Sequence, residues 1–259
     1  MQRPSVQSLF NFSGKTVLIT GASGGIGAGI ARRFAEAGAN VALHYRSGKT
    51  AAEALAVGLQ KTGAHAKIFQ ADLTNEASVP SLVRAVIDHF GALDTLVNNA
   101  GIFPNSSIET MSREAWQAMM AVNTDSVFLC TREAAAAMKK TGGSIINIAS
   151  TSGMHAEPDH AHYNASKAAV ISFTQSAAQE FGPKGVRVNA VSPGLIEREG
   201  IEEAWPEGVA RWQNKAPLAR MGTPGDIADA CLFLSSPAAA FITGINLPVE
   251  GGMMASPIY

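Results

Sequence analysis

A tyrosine and a lysine stand four residues apart in the run Tyr163-Asn164-Ala165-Ser166-Lys167. On a helix, this spacing places both side chains on one face. A nearby ammonium favours the phenolate, so it lowers the pKa of the phenol from its usual value of about 10. Such a tyrosine can donate or accept a proton closer to neutral pH. Taken alone, the pair fits an ordinary surface contact as well.

A glycine-rich turn, Thr20-Gly21-Ala22-Ser23-Gly24-Gly25-Ile26-Gly27, lies between an apolar run and a helical one. Glycines there let the backbone approach a pyrophosphate, whose charge the helix N-terminus stabilises. The spacing is G-x-x-x-G-x-G rather than G-x-G-x-x-G, so a purely structural turn is an alternative. The same residues match the G-x-S-x-G nucleophile elbow, which makes a serine hydrolase using Ser23 a remote alternative. Its position on the first strand argues against it.

Composition and charge limit the classes of function. The 259 residues are 46% hydrophobic and 16% charged, which predicts a folded chain with a sizeable core. The net charge of −1 offers no basic surface for nucleic acid or for an anionic membrane. The expected partner is therefore a small molecule.

The cysteines and the N-terminus give expectations about the compartment. Cys130 and Cys231 form no C-x-x-C pair, which argues against a disulfide framework and a thiolate zinc site. Residues 1–12 do not resemble a signal peptide, and no apolar run reaches the roughly 18 residues of a membrane helix. A cytoplasmic protein is expected. His155, His160 and His162 match no zinc motif, so no metal is expected.

Short apolar runs alternate with helical ones along the chain. The predicted strands are Lys15–Thr20, Asn40–Tyr45, His65–Gln70, Ala92–Val97, Ser144–Ala149, Val186–Val191 and Ile242–Val249. The predicted helices are Ile26–Ala37, Thr50–Thr62, Asn75–Phe90, Ser112–Lys140, His160–Phe181 and Thr223–Ser235. Strands that are apolar throughout predict a doubly wound parallel sheet with helices on both faces, a Rossmann-type α/β/α fold forming a single domain over 1–259. The irregular stretch 195–222 predicts a substrate lid.

With Asn98-Asn99-Ala100-Gly101 and Pro193-Gly194, the glycine turn and the Tyr163–Lys167 pair resemble the short-chain dehydrogenase/reductase family, in its compact single-domain branch. The resemblance spans about residues 14–252 and is closest to 3-oxoacyl-carrier-protein reductases, related carbonyl reductases and sugar dehydrogenases. It implies hydride transfer between a nicotinamide cofactor and a ketone, aldehyde or secondary alcohol. It also implies a homotetramer or homodimer, with residues 251–259 near an interface.

The resemblance implies a catalytic tetrad of Asn123, Ser150, Tyr163 and Lys167. Tyr163 would protonate the carbonyl oxygen during reduction and deprotonate the alcohol in reverse. Ser150 would hydrogen-bond that oxygen and stabilise its developing charge. Lys167 would lower the pKa of Tyr163 and hold the ribose of the nicotinamide. Asn123 would anchor a water in the proton relay.

The resemblance also assigns the binding residues. The cofactor would contact Gly21, Ser23, Gly25, Ile26, Gly27, Arg46, Ser47, Asp72, Leu73, Asn99, Ala100, Gly101, Tyr163, Lys167, Pro193, Gly194 and Ile196. The substrate would contact Ser150 and Tyr163. Ser152 and His155, near the tyrosine, and Trp205, in the predicted lid, are further candidates from their positions alone, with packing of the lid on the domain as the alternative for Trp205. Asp72 would lie near the adenine, with a local cap as the alternative, and Asn98 near the adenosine. Arg198 stands where the family often has a threonine, so the mouth of the site is expected to close differently.

The end of the second predicted strand bears on the cofactor. NAD-binding folds usually place an acid there on the ribose 2′-hydroxyl, whereas an arginine suits a 2′-phosphate. Arg46, Ser47 and Lys49 follow this strand, so NADP is favoured. Gly24 points to NAD instead, because NADP enzymes of the family often carry a basic residue in the turn. An NADP-dependent carbonyl reductase is therefore the first hypothesis, an NAD-dependent alcohol or sugar dehydrogenase the second, and a non-catalytic cofactor sensor a remote third.

Overall fold

The computed structural model describes residues 4–139 and 141–255. Its centre is a seven-stranded, fully parallel sheet in the order β3-β2-β1-β4-β5-β6-β7. The strands are β1 (Thr16–Ile19), β2 (Asn40–Tyr45), β3 (Ala66–Gln70), β4 (Thr95–Asn98), β5 (Gly143–Ile148), β6 (Val186–Pro193) and β7 (Asn246–Val249). The order reverses between β1 and β4, the position where such sheets bind ligands beyond the carboxyl ends of the strands.

Helices cover both faces of the sheet. They are α1 (Gly25–Glu36), α2 (Lys49–Lys61), α3 (Ser78–Phe90), α4 (Arg113–Met120), α5 (Ser126–Met138), α6 (Ala161–Phe181), α7 (Ile201–Ala204), α8 (Pro206–Lys215) and α9 (Pro224–Ser235). Residues of α1, α2 and α9 form the core on one face, and residues of α3, α5 and α6 form the core on the other. The predicted doubly wound α/β/α fold is confirmed.

Strand β1 shows why the central strands are apolar throughout. Val17 and Ile19 belong to the core on one face, whereas Leu18 belongs to the core on the other. All three are at most 1% exposed, and burying such a side chain contributes about 1.5–3 kcal/mol. Edge strand β3 departs from the expectation, because Lys67 and Gln70 are exposed there.

The structure contradicts the prediction of one continuous helix over Ser112–Lys140. Helices α4 and α5 are separated by a π-helical turn over Ala121–Asp125, and Lys140 lies outside the described residues. A π-turn inserts an extra residue into the helical register and is common at functional sites. Here it carries Asn123, whose side chain is fully buried.

The segment 195–222, named the lid segment below, contains the short helices α7 and α8. A parallel β-bridge between Ile196 and Gly222 joins its two ends. Helix α9 then begins with a capping box: the Thr223 hydroxyl accepts from the amide of Asp226 at 3.1 Å, and the Asp226 carboxylate accepts from the amide of Thr223. This confirms the predicted N-cap. Of the residues expected near an interface, 256–259 lie outside the described part of the chain.

Candidate active site

A cleft of about 900 Å³ opens at the carboxyl edge of the sheet, over the switch point between β1 and β4. The glycine turn over residues 20–27 borders one end, and Tyr163 and Ser150 border the other. The cleft therefore brings together motifs that are up to about 140 residues apart in the sequence.

The structure places most of the predicted site residues on this cleft. Those that line it are Gly21, Ser23, Gly25, Ile26, Arg46, Ser47, Asp72, Leu73, Asn99, Ala100, Gly101, Ser150, Tyr163, Lys167, Pro193, Gly194, Ile196 and Trp205. Four predicted residues are not among the lining residues, namely Gly27, Asn123, Ser152 and His155.

The glycines of the turn allow close approaches between backbones. Gly21 has a φ of +64°, and a Cβ there would lie 2.9 Å from the Cα of Ala100. A Cβ on Gly27 would lie 2.4 Å from the carbonyl oxygen of Gly21. Gly27 therefore shapes the turn from beneath instead of bordering the cleft. Any larger residue at either position would push the turn away from the end of β4.

The outer part of the turn is open toward the cleft. A Cβ on Gly24 or on Gly25 would meet nothing within 4 Å. Helix α1 starts at Gly25, and no side chain caps its first amides. These amides can therefore donate to an anion, whose charge the helix N-terminus stabilises. The cradle fits the pyrophosphate of a dinucleotide.

His44 holds the turn from inside the protein, a contact that the sequence analysis missed. The amide of Gly21 donates to its Nδ1 at 3.1 Å, so Nε2 carries the proton and donates to the Ala71 carbonyl at 3.1 Å. The ring is 2% exposed, and burial lowers the pKa of His44. A neutral histidine with both nitrogens engaged cannot serve Ser23 as a base. A histidine within the apolar strand Asn40–Tyr45 was the available signal.

Asn99 ties β1 to β4 at the base of the cleft. Its amide nitrogen donates to the carbonyls of Thr20 and Gly21 at 3.0 and 3.1 Å. The neighbouring Asn98 points away from the cleft and donates instead to Asn147 and Thr131 in the core. Asn98 does not line the cleft, because successive strand residues face opposite sides of the sheet, and its expected place near the adenosine stays a prediction that these core contacts do not support.

The catalytic end of the cleft combines residues from β5 and α6. Ser150 directly follows Ala149 at the end of β5 and is 8% exposed, with its hydroxyl accepting from the amide of Ser152 at 3.1 Å. Tyr163 and Lys167 lie one turn apart on α6, with the lysine nitrogen 5.7 Å from the centre of the tyrosine ring. The same nitrogen donates to the carbonyl of Ile148 at 2.8 Å. The predicted side-by-side placement of the phenol and the ammonium is observed.

The protonation of the pair differs from the expectation. Burial raises the pKa of Tyr163, and the Ser150 hydroxyl opposes this with a smaller downward effect. The carboxylate of Glu157 raises the pKa further. Burial also lowers the pKa of Lys167 to about 8. Lys167 therefore does not bring the pKa of Tyr163 below its usual value in this structure: desolvation of the phenol dominates.

Asn123 lies behind the cleft rather than on it. Its side-chain oxygen accepts from the amide of Ile102 at 2.8 Å, and its nitrogen donates to the Ile102 carbonyl at 2.8 Å and to the Ser166 hydroxyl at 3.2 Å. The side chain thus joins the loop after β4 to helix α6. A role for Asn123 in anchoring a water stays a prediction.

Arg46 and Asp72 lie at the far end of the cleft, after β2 and β3. The Asp72 carboxylate accepts from the amide and hydroxyl of Thr74 at 3.0 and 2.7 Å, which lowers the pKa of Asp72. This is the local cap that the sequence analysis gave as the alternative. Lys49 pairs with Glu53 at 3.7 Å within α2 and does not line the cleft. Arg46 is therefore the basic side chain of this end.

The two tryptophans of the lid segment have different surroundings. Trp205 lines the cleft, is 47% exposed and packs over Gly208. Trp212 packs instead on Gly194 at the end of β6, and its ring nitrogen donates to the Arg220 carbonyl at 3.3 Å. Trp212 thus seats the lid segment on the sheet, whereas only Trp205 is placed to meet a ligand.

Several residues that line the cleft near Tyr163 had no predicted role there. Phe103 and His160 place their rings 6.4 and 6.2 Å from the tyrosine ring, and Glu157 borders the same end. Arg198 of the lid segment lies over Phe103, 4.9 Å from the ring centre. Glu157 and His160 line the cleft and His155 does not, so a contact between His155 and the substrate stays a prediction. The sequence contained this histidine- and acid-rich stretch but not the direction of each side chain.

Two further expectations concern metals and membranes. Among residues 4–139 and 141–255, no group of three His, Cys, Asp or Glu side chains is arranged to hold a metal ion. Within the same residues, no helix is both long and apolar enough to cross a membrane. Cys130 and Cys231 are buried free thiols, and burial raises the pKa of Cys130 to about 12.

Comparisons with known proteins agree on one family. The family described as Enoyl-(Acyl carrier protein) reductase matches residues 21–254. The chain is 40% identical to a 3-oxoacyl-[acyl-carrier-protein] reductase of Synechocystis sp., over 93% of this chain and 97% of the relative. It is 39% identical to 2,5-dichloro-2,5-cyclohexadiene-1,4-diol dehydrogenase LinX of Sphingobium indicum, over 93% and 96%. The structure of a short-chain type dehydrogenase/reductase from Mycobacterium marinum matches with a TM-score of 0.89 at 37% identity, over 96% and 99%.

Proposed function

The chain belongs to the short-chain dehydrogenase/reductase family and is an NAD(P)-dependent oxidoreductase acting on CH–OH groups, and we propose that it is an NADP-dependent carbonyl reductase similar to 3-oxoacyl-carrier-protein reductases. One observation carries the proposal. A single cleft has an open glycine cradle at one end and the group of Ser150, Tyr163 and Lys167 at the other. A dinucleotide bound along this cleft would present its reactive ring to a proton donor.

NADPH supplies the hydride, and the residues of this chain supply binding and the proton. Because the pKa of Tyr163 is raised, the phenol is protonated at neutral pH and can donate to a carbonyl oxygen during reduction. Ser150 lies on the same end of the cleft and would hydrogen-bond that oxygen as it gains charge. The tyrosinate left after donation is stabilised by the ammonium of Lys167, 5.7 Å from the ring.

Lys167 is also suited to hold a ribose. One of its three donors binds the Ile148 carbonyl, and both residues line the cleft. Two donors are left for hydroxyl groups of the nicotinamide ribose. Pro193, Gly194 and Ile196 would border the nicotinamide from the β6 side.

The preference for NADP rests on Arg46. A guanidinium can make charge-assisted, bidentate bonds to a 2′-phosphate, and Arg46 borders the cleft directly after β2. Asp72 lies close enough to interact electrostatically with Arg46, but its carboxylate is engaged by Thr74.

An NAD-dependent alcohol or sugar dehydrogenase is the second candidate. Gly24 gives the glycine turn no basic side chain, and the LinX relative is named a diol dehydrogenase. The group formed by Ser150, Tyr163 and Lys167 argues against a non-catalytic cofactor sensor, because such a protein would need no proton donor beside the cofactor.

The substrate end of the cleft is mixed in character. Phe103, Ile201, Ala204 and Trp205 provide apolar contacts, and Glu157 provides a carboxylate. We therefore expect a ketone with an apolar portion. The test is a panel of 3-oxo esters, aliphatic ketones and sugars, assayed by NADPH and NADH absorbance in parallel. Reduction of 3-oxo esters with NADPH supports the proposal, whereas oxidation of sugars or diols with NAD supports the second candidate. Assembly as a homotetramer or homodimer also stays a prediction, which light scattering coupled to gel filtration would check.

A further inference from the structure

Two arginines line the cleft, one toward each end, and only one has a role so far. Arg46 follows β2, whereas Arg198 belongs to the lid segment just before α7. Arg198 also borders a wider groove of about 1340 Å³ that runs along α1 and the glycine turn. Its side chain therefore lies between the turn and the catalytic end.

The contacts of Arg198 leave its hydrogen-bonding capacity unused. The guanidinium carbon lies 4.9 Å from the centre of the Phe103 ring, and the Phe103 ring meets Tyr163 edge-on at 6.4 Å. A guanidinium can contact an aromatic ring while its N–H groups point outward in its own plane. Among residues 4–139 and 141–255, none makes a side-chain hydrogen bond or ion pair with Arg198.

Among the described arginines, Arg32, Arg46, Arg84, Arg113 and Arg211 share with Arg198 the lack of a side-chain hydrogen bond or ion pair, but of these only Arg46 and Arg198 line the cleft. Arg33, Arg132 and Arg220 each bind one or two carboxylates, and the half-buried Arg187 donates to backbone carbonyls. Arg198 thus contacts a ring on the loop after β4 and borders both the cleft and the adjoining groove, so its donors are accessible to a ligand there.

We propose that Arg198 binds an oxyanion of a ligand in the cleft. The oxyanion has two possible sources, which share the same chemistry: the pyrophosphate of the cofactor, or a carboxylate of the substrate. Both suit a planar fork of N–H donors. The inference rests on the proposed function, because that function supplies the dinucleotide and the ketone; the second source requires a ketone that also carries a carboxylate.

The experiment compares Arg198→Met with Arg211→Met. Arg211 is the matched control, because it also lies on the lid segment and over an aromatic ring, 5.9 Å from the centre of Trp205, but does not line the cleft. NADPH binding is measured by protein fluorescence. Inorganic pyrophosphate is titrated as a competitor of NADPH, and acetoacetate and ethyl acetoacetate are titrated as competitors of the ketone substrate.

We expect Arg198→Met to weaken the binding of one of the two oxyanions by about tenfold. This is the lower end of the contribution of a charged hydrogen bond, as suits an exposed site. Weaker binding of pyrophosphate and NADPH would identify the cofactor as the source of the oxyanion. Weaker binding of acetoacetate, with unchanged binding of ethyl acetoacetate, would identify the substrate as the source of the oxyanion. Arg198→Lys should recover part of the loss, and Phe103→Leu should reproduce part of it, because it removes the ring that holds the guanidinium.

Changes below twofold for every ligand would overturn the inference, as would equal losses in Arg211→Met. These results would leave the proposed function intact as long as the wild type binds NADPH and reduces a ketone. Absence of NADPH binding or of reduction in the wild type would instead refute the proposed function. Melting temperatures of the variants, compared with the wild type, distinguish lost binding from lost folding.

Discussion

Replacing Arg46 with aspartate should shift the cofactor preference from NADPH toward NADH. Arg46 is exposed and is the basic residue at this end of the cleft, since Lys49 pairs with Glu53. A hydrogen bond to a charged group contributes about 1.5–3 kcal/mol, or roughly one to two decades in affinity. Because Arg46 is exposed, we expect the lower half of this range from losing the arginine alone.

The aspartate adds repulsion to this loss. Two unit charges about 4 Å apart in water interact by about 1 kcal/mol, roughly a further fivefold. We therefore expect the ratio of kcat/KM for NADPH to that for NADH to fall by about 50–150-fold in Arg46→Asp, and by about 10–30-fold in Arg46→Ala. The change should lie mainly in KM for the cofactor, because the 2′-phosphate is remote from the reacting atoms.

The assay measures initial rates with both cofactors at a fixed ketone concentration. Arg84→Asp is the control, because Arg84 is an exposed arginine on α3 that does not line the cleft. Wild-type use of NADH at least as well as NADPH would refute the reasoning. A ratio that Arg46→Asp and Arg84→Asp change equally would show that overall charge, not a contact, sets the preference.

Three further predictions follow from the structure. The pKa of Tyr163 is raised, so the phenol needed for reduction is present at neutral pH, whereas alcohol oxidation needs the tyrosinate and should increase with pH up to about pH 8, the pKa of Lys167, above which the stabilising ammonium loses its charge; rate–pH profiles in both directions check this, and an oxidation rate that falls between about pH 6 and pH 8 would contradict it. Trp205→Ala should raise KM for bulky apolar ketones and have little effect on KM for small ones. Trp212→Ala should instead lower the melting temperature and affect all substrates alike. The reverse pattern would contradict the assigned positions. Gly21→Ala should lower the unfolding free energy by at least about 1–2 kcal/mol and weaken NADPH binding, because φ of Gly21 is +64° and the added Cβ would meet Ala100. In Gly24→Ala the added Cβ meets nothing within 4 Å, so the unfolding free energy should hardly change. Equal effects of the two changes in denaturant titrations would contradict this.

The sheet was predictable from the sequence because its central strands are buried on both faces. Runs such as Lys15–Thr20 and Ser144–Ala149 must then be apolar at every position, which distinguishes them from half-exposed strands. The predicted boundaries differ from β1 and β5 by only one residue at each end. The cradle and the Tyr163–Lys167 pair were also predictable, because glycine spacing and helical spacing are local properties.

The features that could not be predicted from the sequence depend on tertiary contacts. Nothing in Ala121–Asp125 indicates a π-turn, since the run lacks proline and glycine. Asn123 binds both backbone groups of Ile102, a residue on a separate loop, and this contact accompanies the extra residue in the helix. A sequence contains no record of such a contact.

Asn98 and Asn99 show the same limit. Adjacent asparagines at a strand end must point to opposite sides, but the choice of side depends on the register with β1 and β5. The prediction of a lowered pKa for Tyr163 was wrong for another reason. Spacing predicts that an ammonium lies nearby, but it does not predict how far the phenol is buried, and burial has the larger effect.

The most direct test of the account is Tyr163→Phe, with two quantities measured on the same preparation. These are the rate of ketone reduction with NADPH and the dissociation constant of NADPH from protein fluorescence. We predict a rate at least about 100-fold lower, the usual contribution of a proton donor, with the dissociation constant changed by less than about twofold. A variant that keeps more than about a tenth of the wild-type rate would contradict the assignment of Tyr163 as the proton donor.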